Sequence, residues 1–485
     1  MGLTFKMLGD TVAEDVWGFV PNRQIKPVHF ANGFARALCG KRGSVDLLLK
    51  AAGAFRKGNA RVSTEQFLAD IDGRYESRMG DPPVDDAKDL RSALDLVLNQ
   101  DRALFRSENF ASLTLTHHEH VTSDNSDQRT GRFMAEVLAS AEDGQIVDVL
   151  RSTLDLRTDN VYLLGAPLVE VNALGSAPAR DPEMVKRIAR SPVLSRIQGA
   201  FATLVKYQSS LEKTMFLQRA VELGSFGIFL HLANAPVETD QDGSDLVPLL
   251  MTSPNPTPEI REASRATFIR TRQRIEQAFE EGLGRQLKSR GEHDLSENKY
   301  RALARSWLPE LDTGTANAKK EQRVWERFQR DFDAFLIGTS QPFDAFKRAA
   351  VRAAFLAMGE EPESVSRSLG RMVGIVYPRH QGRGDKYFSP APQFLDMLVL
   401  CLIEPDEGMI PVEEFWARAR ERFGLLSGSE GSADSRRLLR WGIRRASPTE
   451  LEANAKEMLA ELARMGHARE YADDIAMVSA GGQHG

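Results

Sequence analysis

The chain has 485 residues, a formal net charge of −5, 42% hydrophobic residues and 27% charged residues. That length suffices for several domains with cores of their own, and the composition excludes a disordered or fibrous chain. The charge excludes a polycation that coats nucleic acid over its whole surface, so any basic face must be local. Two cysteines, Cys39 and Cys401, exclude a disulfide framework and suit a reducing cytoplasm. The start of the sequence lacks the apolar core of a signal peptide, and Lys6 stands where a myristoylation signal needs Ser or Thr. With no apolar run near membrane-spanning length, the expectation is a cytoplasmic protein without membrane contact.

In chain order, residues 1–27, with Trp17 to Asn22, read as an extended or turn-like lead-in. The text turns helical from His29. Ser44 reads as the cap of a helix to Arg56, and Ser63 with Gln66 makes a capping box. Beyond Asp81 to Pro83, an apolar stripe of Leu90, Leu94, Val97, Leu98 and Phe105 predicts another helix, and Ser112 to Val121 alternates like a strand. Residues 131–173 read as helix, turn and short helix. Val193, Leu194, Ile197, Phe201, Leu204, Leu211 and Met215 keep helical spacing, and Val221 to Leu232 is apolar nearly all round, the signature of a central core helix.

After an Asp-, Ser- and Pro-rich loop from Val237 to Pro256, Thr257 as cap and Pro258 at the first helical position open a long charged helix to about Lys288. Ser289 to Thr315 is polar and poorly periodic. Ala318 to Ile337 and Pro342 to Met358 predict two more helices, and Tyr377 to Pro390 a basic, glycine-containing loop. Phe394 to Ile403 predicts a buried helix, Met409-Ile410 a short strand, and Pro411 the start of a helix through Phe423. Ser427 to Ser432 reads as a loop. Ser447 with Glu450 is a capping box, and Leu451, Ala455, Met458, Leu459, Leu462 and Met465 form one face of a helix that Gly466 stops. Tyr471 to Val478 alternates as a strand.

The fold class expected is mainly α: a multi-domain helical protein with a C-terminal α+β unit. The expected parts are a mostly helical domain with a short strand over 1–128, a central helical domain over 129–376, and a third domain with a flexible tail over 386–485. Helix, short strand, helix, helix and strand, read from Ser389 to Val478, is an order that resembles the layout of a winged-helix domain.

Several sequence features resemble catalytic motifs without completing them. His117, His118 and His120 fall together, with Glu119 between them and Asp124 and Asp127 downstream. On a strand His118 and His120 point the same way and would bring two imidazoles to one metal. A third and fourth ligand are not offered elsewhere, so the patch reads as a polar strand end and no cofactor is expected. Gly40-Lys41 resembles the end of a phosphate loop, but Gly33 lies too far back, and Arg42 stands where Ser or Thr would hold magnesium. Glu297 and Lys299, with Asp294 nearby, have the spacing of a nuclease triplet but sit where loop runs into helix. No nucleophile elbow is present: Gly428 lies in a polar loop.

Local positive charge carries more. Arg436, Arg437, Arg440, Arg444 and Arg445 occur without an intervening acid. On a helix Arg436, Arg440 and Arg444 line one face. Arg379, Arg383 and Lys386, with His380, form a second cluster, and Lys41 and Arg42 mark a third between Arg36 and Arg61. Such patches are what phosphate contact requires, because each neutralised phosphate releases counterions. The helix Thr449 to Met465, which a winged-helix domain would offer to the major groove, carries Glu450, Glu452, Glu457 and Glu461 against Lys456 and Arg464. The expected contact therefore moves to Arg436–Arg445 and the Arg379–Lys386 loop.

The sequence thus predicts a non-catalytic accessory subunit of a nucleic-acid-handling complex, with protein partners and DNA contact through these basic clusters. In type it resembles accessory subunits of bacterial DNA-maintenance and anti-phage (antiviral) defence systems. The alternatives are a protein-interaction scaffold without DNA contact, and a metal-dependent hydrolase or nuclease centred on His117, His118 and His120.

Overall fold

The computed structural model describes residues 3–23, 25, 27–40, 43–44, 89, 92–93, 128–142, 144–155, 160–168, 170–171, 175–237, 246–308, 316–339, 341–379, 385–443, 446–471 and 475–481. The first element corrects the expected lead-in. The Thr4 side chain accepts the Met7 N–H as an N-cap, and Phe5, Leu8, Val12 and Ala13 bury one stripe of a helix, α1 (Phe5–Trp17). The lead-in reading rested on Trp17 to Asn22, which only ends that helix. Next come α2 (Pro27–Cys39) and β1 (Gly43–Ser44), where Ser44 pairs with Glu170; the helix expected from there to Arg56 lies outside the described residues. The capping box at Ser63, the stripe of Leu90, Leu94, Val97, Leu98 and Phe105, and the strand Ser112 to Val121 lie outside the described residues.

The chain continues through α3 (Gln128–Ala139), α4 (Gln145–Thr153), the short α5 (Asn160–Gly165) and β2 (Glu170–Val171), which pairs antiparallel with β1. Then follow α6 (Pro182–Arg190), α7 (Leu194–Val205) and α8 (Lys213–Ala233). Nearly every side chain from Phe216 to Ala233 is buried, so α8 has no solvent face. It is the axis on which α2, α3, α7, α9, α13 and α14 of the rest of the chain pack. Here β3 (Leu249–Leu250) precedes α9 (Pro258–Ser289), α10 (Glu297–Ser306), α11 (Ala316–Gly338) and α12 (Pro342–Met358) follow it, and α13 is Pro362–Val373 and α14 Pro392–Leu402. The Thr257 cap and Pro258 at the helix start fix where α9 begins, and Thr257 accepts from the Ile260 N–H. α10 is a correction to the segment read as unperiodic: Tyr300 and Ala304 alone supply its buried stripe.

Aromatic contacts seal the joints. Phe5 of α1 meets Trp307 edge-on at 5.3 Å, Tyr300 stacks on Phe346 at 4.5 Å, and Phe279 lies 4.5 Å from Phe355. His231 of α8 stacks on Phe133 of α3 at 5.2 Å, while its Nε2 lies 3.0 Å from the Trp17 carbonyl oxygen. Burial pulls the His231 pKa down to about 4, so the ring is neutral and acts as a packing piece. α2 and α3 cross so closely that a Cβ on Gly131 would lie 2.4 Å from the Phe34 backbone nitrogen.

The C-terminal third begins with the hairpin β4 (Val376–Tyr377) and β5 (Tyr387–Phe388), followed by α14, β6 (Met409–Pro411), α15 (Val412–Phe423), β7 (Leu425–Leu426), α16 (Gly431–Arg440), α17 (Pro448–Arg464), β8 (Ala468–Glu470) and β9 (Ala476–Ser479). The single strand expected over Tyr471 to Val478 is instead the end of a hairpin, and β6, β9 and β8 form a three-stranded antiparallel sheet in that order. This third is fastened to the helical body. β7 pairs in parallel with β3, Leu249 opposite Leu425 and Leu250 opposite Leu426, and one apolar cluster runs from Phe5 to Val478. Among the described residues the chain is mainly helical, and no helix is long and apolar enough to cross a membrane.

Two tests follow from this packing. Gly131→Ala is expected to lower the unfolding free energy by about 2 kcal/mol, because backbone, not a flexible side chain, must give way. Gly199→Ala, in open space inside α7, should instead raise it by about 0.5–1 kcal/mol; urea denaturation of both reads the opposite signs.

Glu360, 9% exposed just after α12, accepts the Arg23 backbone N–H. Burial pushes its pKa up to about 7, partly offset by Arg23. An acid with a raised folded-state pKa contributes most below its unfolded value of 4.5, and that contribution is lost as pH rises through about 7. Glu360→Gln keeps the acceptor and removes the titration. The variant should therefore hold its Tm from pH 5 to pH 8 better than the wild type, which loses on the order of 2–3 kcal/mol over the window.

Candidate nucleic-acid interface

α16 carries the arginine run, and its inner face decides which arginines point out. Leu438 is buried in a small cluster with Leu250, Leu426, Ile443 and Leu451. Asp434, also buried, is 2.8 Å from the Arg437 guanidinium. With Asp434 and Leu438 inward, Arg436 and Arg440, one turn apart, are both exposed. Arg437 is half-buried and pairs with Glu430 at 2.7 Å; Glu430 in turn pairs with Arg420 of α15 at 2.7 Å. Burial opposes ionisation of Glu430, but Arg437 and Arg420 outweigh it and hold the carboxyl below its usual range. Burial likewise opposes charge on Arg437, and Glu430 and Asp434 reverse that.

Beside this network lies a cleft of about 430 Å³, whose lining includes Arg196, Arg420, Arg437, Arg440 and Trp441. Arg196 comes from α7 and donates to the Glu421 carbonyl oxygen at 2.5 Å, which aims it across the α15 C-terminus. Glu421 is an acid in the lining. The guanidinium groups outnumber the carboxylates there, with Arg436 adding charge on the adjoining face of α16. The Trp441 ring follows α16 and lies against Arg270 and Arg274 of α9, with guanidinium carbons 5.6 and 5.8 Å from its centroid.

The structure thus places Arg436, Arg437 and Arg440 at one surface, while Arg444 and Arg445 lie outside the described residues, as do Arg383, Lys41 and Arg42. Arg379 is half-buried after β4 and does not line the cleft. Lys386 is a correction. Only 4% exposed, it turns its ammonium to the Pro378 carbonyl oxygen at 2.5 Å, and burial, with Arg367 and Arg371 nearby, lowers its pKa. It ties the hairpin together and offers no charge to a phosphate. Sequence reasoning missed Arg196, Arg420, Arg270, Arg274 and Trp441. Trp441, directly after Arg440, was the available signal; the others come from distant helices.

The chemistry-bearing residues elsewhere are engaged structurally. His467 has Nε2 2.9 Å from Asp396 and Nδ1 3.1 Å from the Ser479 carbonyl oxygen, so both ring nitrogens are occupied. Asp396 also takes Arg219 at 2.5 Å, and Arg219 pairs with Glu222 at 2.9 Å. Burial favours the neutral Asp396, but His467 and Arg219 overcome it and lower its pKa. The Cys401 thiol is fully buried and pushed up by desolvation, which makes it a poor nucleophile. Glu297 and Lys299 lie on the helix α10, not on a strand, and Gly33 lies within α2. Among the described residues no group of three or more His, Cys, Asp or Glu side chains is placed to hold a metal ion. His117, His118 and His120 lie outside them. No protein-family model, curated protein or solved structure matches this chain.

Asn454 of α17 sets the position of the cleft. Its Oδ1 accepts the Ser253 N–H at 2.9 Å, and its Nδ2 donates to the carbonyl oxygens of Met251 at 2.9 Å and Ser427 at 2.7 Å. In Asn454→Asp a carboxylate oxygen would face both carbonyls, a buried repulsion expected to cost about 3 kcal/mol or more. The measurement is the urea midpoint, and an unchanged midpoint would show that this seam is dispensable.

Proposed function

We propose that the chain is a non-catalytic subunit of a nucleic-acid-handling assembly and that it contacts phosphates through the arginine cleft beside α16. The observation that carries this reading is convergence: Arg196, Arg420, Arg437 and Arg440, from three helices separated in sequence, line one cleft in a chain of net charge −5. A solvated basic face would need no such gathering, and phosphate contact needs positive charge concentrated locally. The C-terminal third supports a winged-helix reading through its sheet order β6–β9–β8 with α14, α15 and α17 around it. On α17 the exposed Glu452 and Glu457 offset the exposed Lys456 and Arg464, so that helix carries no basic face and α16 is the stronger candidate for phosphate contact. DNA-maintenance or anti-phage defence assemblies are the setting this reading favours, and DNA is the first nucleic acid to test.

A second reading, a docking scaffold without DNA contact, has one observation in its favour. Met409, Tyr471 and Ile475 are exposed around the three-stranded sheet, at 38%, 48% and 55%. Co-purification of a partner that survives nuclease and depends on residues 386–485 would favour it.

The primary test is binding of labelled DNA to the full chain across a salt series. Wild type should bind with an affinity that falls as salt rises. Arg436→Ala combined with Arg440→Ala should weaken binding roughly tenfold at low salt and flatten the log–log slope by about 1–2. Both are exposed, so circular dichroism should be unchanged. Absence of salt-dependent binding by the wild type would overturn the reading.

A further inference from the structure

We infer that Trp441 is a stacking platform for an unpaired base, so that the cleft takes single-stranded nucleic acid in preference to duplex; this rests on the phosphate-contacting reading of the same cleft. Three observations support it. First, the ring packs with one side against the small apolar cluster of Leu438 and its neighbours and remains half-exposed where it lines the cleft. Second, Arg270 and Arg274 sit one helical turn apart on α9, so both hold the ring from the side of that helix. Their charges fix the ring plane before any ligand arrives, which reduces the ordering that stacking would otherwise require.

Third, the cleft that Trp441 lines is basic: Arg437 and Arg440 lie within about one turn before Trp441, the C-cap of α16, and Arg196 and Arg420 line the same cleft. Glu430 bridges Arg420 and Arg437, so those two guanidiniums stand side by side, and a backbone lying along them meets both while its base meets the indole. Aromatic platforms combined with a basic groove are the general means of holding single strands without sequence readout. In a duplex the base faces are stacked on one another and are not available to the ring. Nor does this surface offer a duplex a basic reading helix: on α17 the exposed Glu452 and Glu457 offset the exposed Lys456 and Arg464.

The test uses the full chain and three labelled probes: a thymidine oligomer, an abasic strand of equal length and charge, and a duplex. Wild type should bind the thymidine strand about tenfold more tightly than the abasic strand, and more tightly than the duplex. Trp441→Leu should bind the thymidine and abasic strands alike, Trp441→Phe should keep most of the difference, and Arg440→Ala should weaken both strands together. Equal binding of the two strands by wild type, a tighter duplex, or a base preference that survives Trp441→Leu would each overturn the stacking role while leaving the phosphate contact standing. If no probe binds in a salt-dependent way, the phosphate reading itself fails and the stacking role with it.

Discussion

The C-terminal third is held where it is by one buried amide. The Asn454 side chain makes three hydrogen bonds at once through Oδ1 and Nδ2, with Ser253 and Met251 on the segment leaving β3 and with Ser427 after β7. At 5% exposure these groups have no water to fall back on, so the amide and its backbone partners are each necessary to the others. The two-residue pairing of β3 with β7 would be marginal alone. Ser264 strengthens it by donating to the Leu250 carbonyl oxygen at 2.7 Å and accepting the Phe388 N–H at 2.9 Å, which brings β5 and α9 into the same seam. The cleft exists because of this seam: its walls come from α7, α15 and α16, and α9 supplies the guanidiniums behind Trp441.

Charge within the cleft is arranged as a compromise between order and availability. Glu430 and Asp434 hold Arg437 and Arg420 in fixed positions, and because the pairs are half-buried they are screened less by salt than a surface pair. That fixes geometry but neutralises part of the charge. Arg436 and Arg440, exposed on the outer face of α16, are more accessible. Guanidiniums held in place lose less freedom on meeting an anion than unconstrained ones do.

Much of the helical frame was legible because its signals are local. The Thr257–Pro258 start of α9, the Ser447–Glu450 capping box of α17 and the all-round apolar run of α8 each announce an element without reference to anything distant. The misses have the same origin in reverse. α1 shows its stripe only if Phe5, Leu8 and Val12 are weighed above the Trp17–Asn22 turn, and α10 buries little beyond Tyr300 and Ala304. Alternation from Tyr471 onward gave the strand character of β9 but not the reversal that separates β8 from it. For the cleft, the run Arg436–Arg440 was visible, while its partners Arg196, Arg420, Arg270 and Arg274 are joined to it by tertiary packing alone. Lys386 misled because its sequence neighbours are basic, and only the fold shows the ammonium turned inward.

The acidic remainder of the molecule then acquires a role. With a net charge of −5 the molecule as a whole repels a polyanion. A basic cleft in such a surface does not compete with a diffuse attraction elsewhere, so a strand that binds at all is directed to one place and one orientation. The same arrangement sets a ceiling. On the proposed phosphate contact, a few arginines, some already paired with Glu430 and Asp434, release few counterions, so contact by this chain alone would be weak and its salt dependence shallow. Strength must come from elsewhere: from base stacking, or from partners that add phosphate contacts of their own when they share the strand. On the proposed reading, such a chain would position a nucleic acid within an assembly rather than capture it unaided.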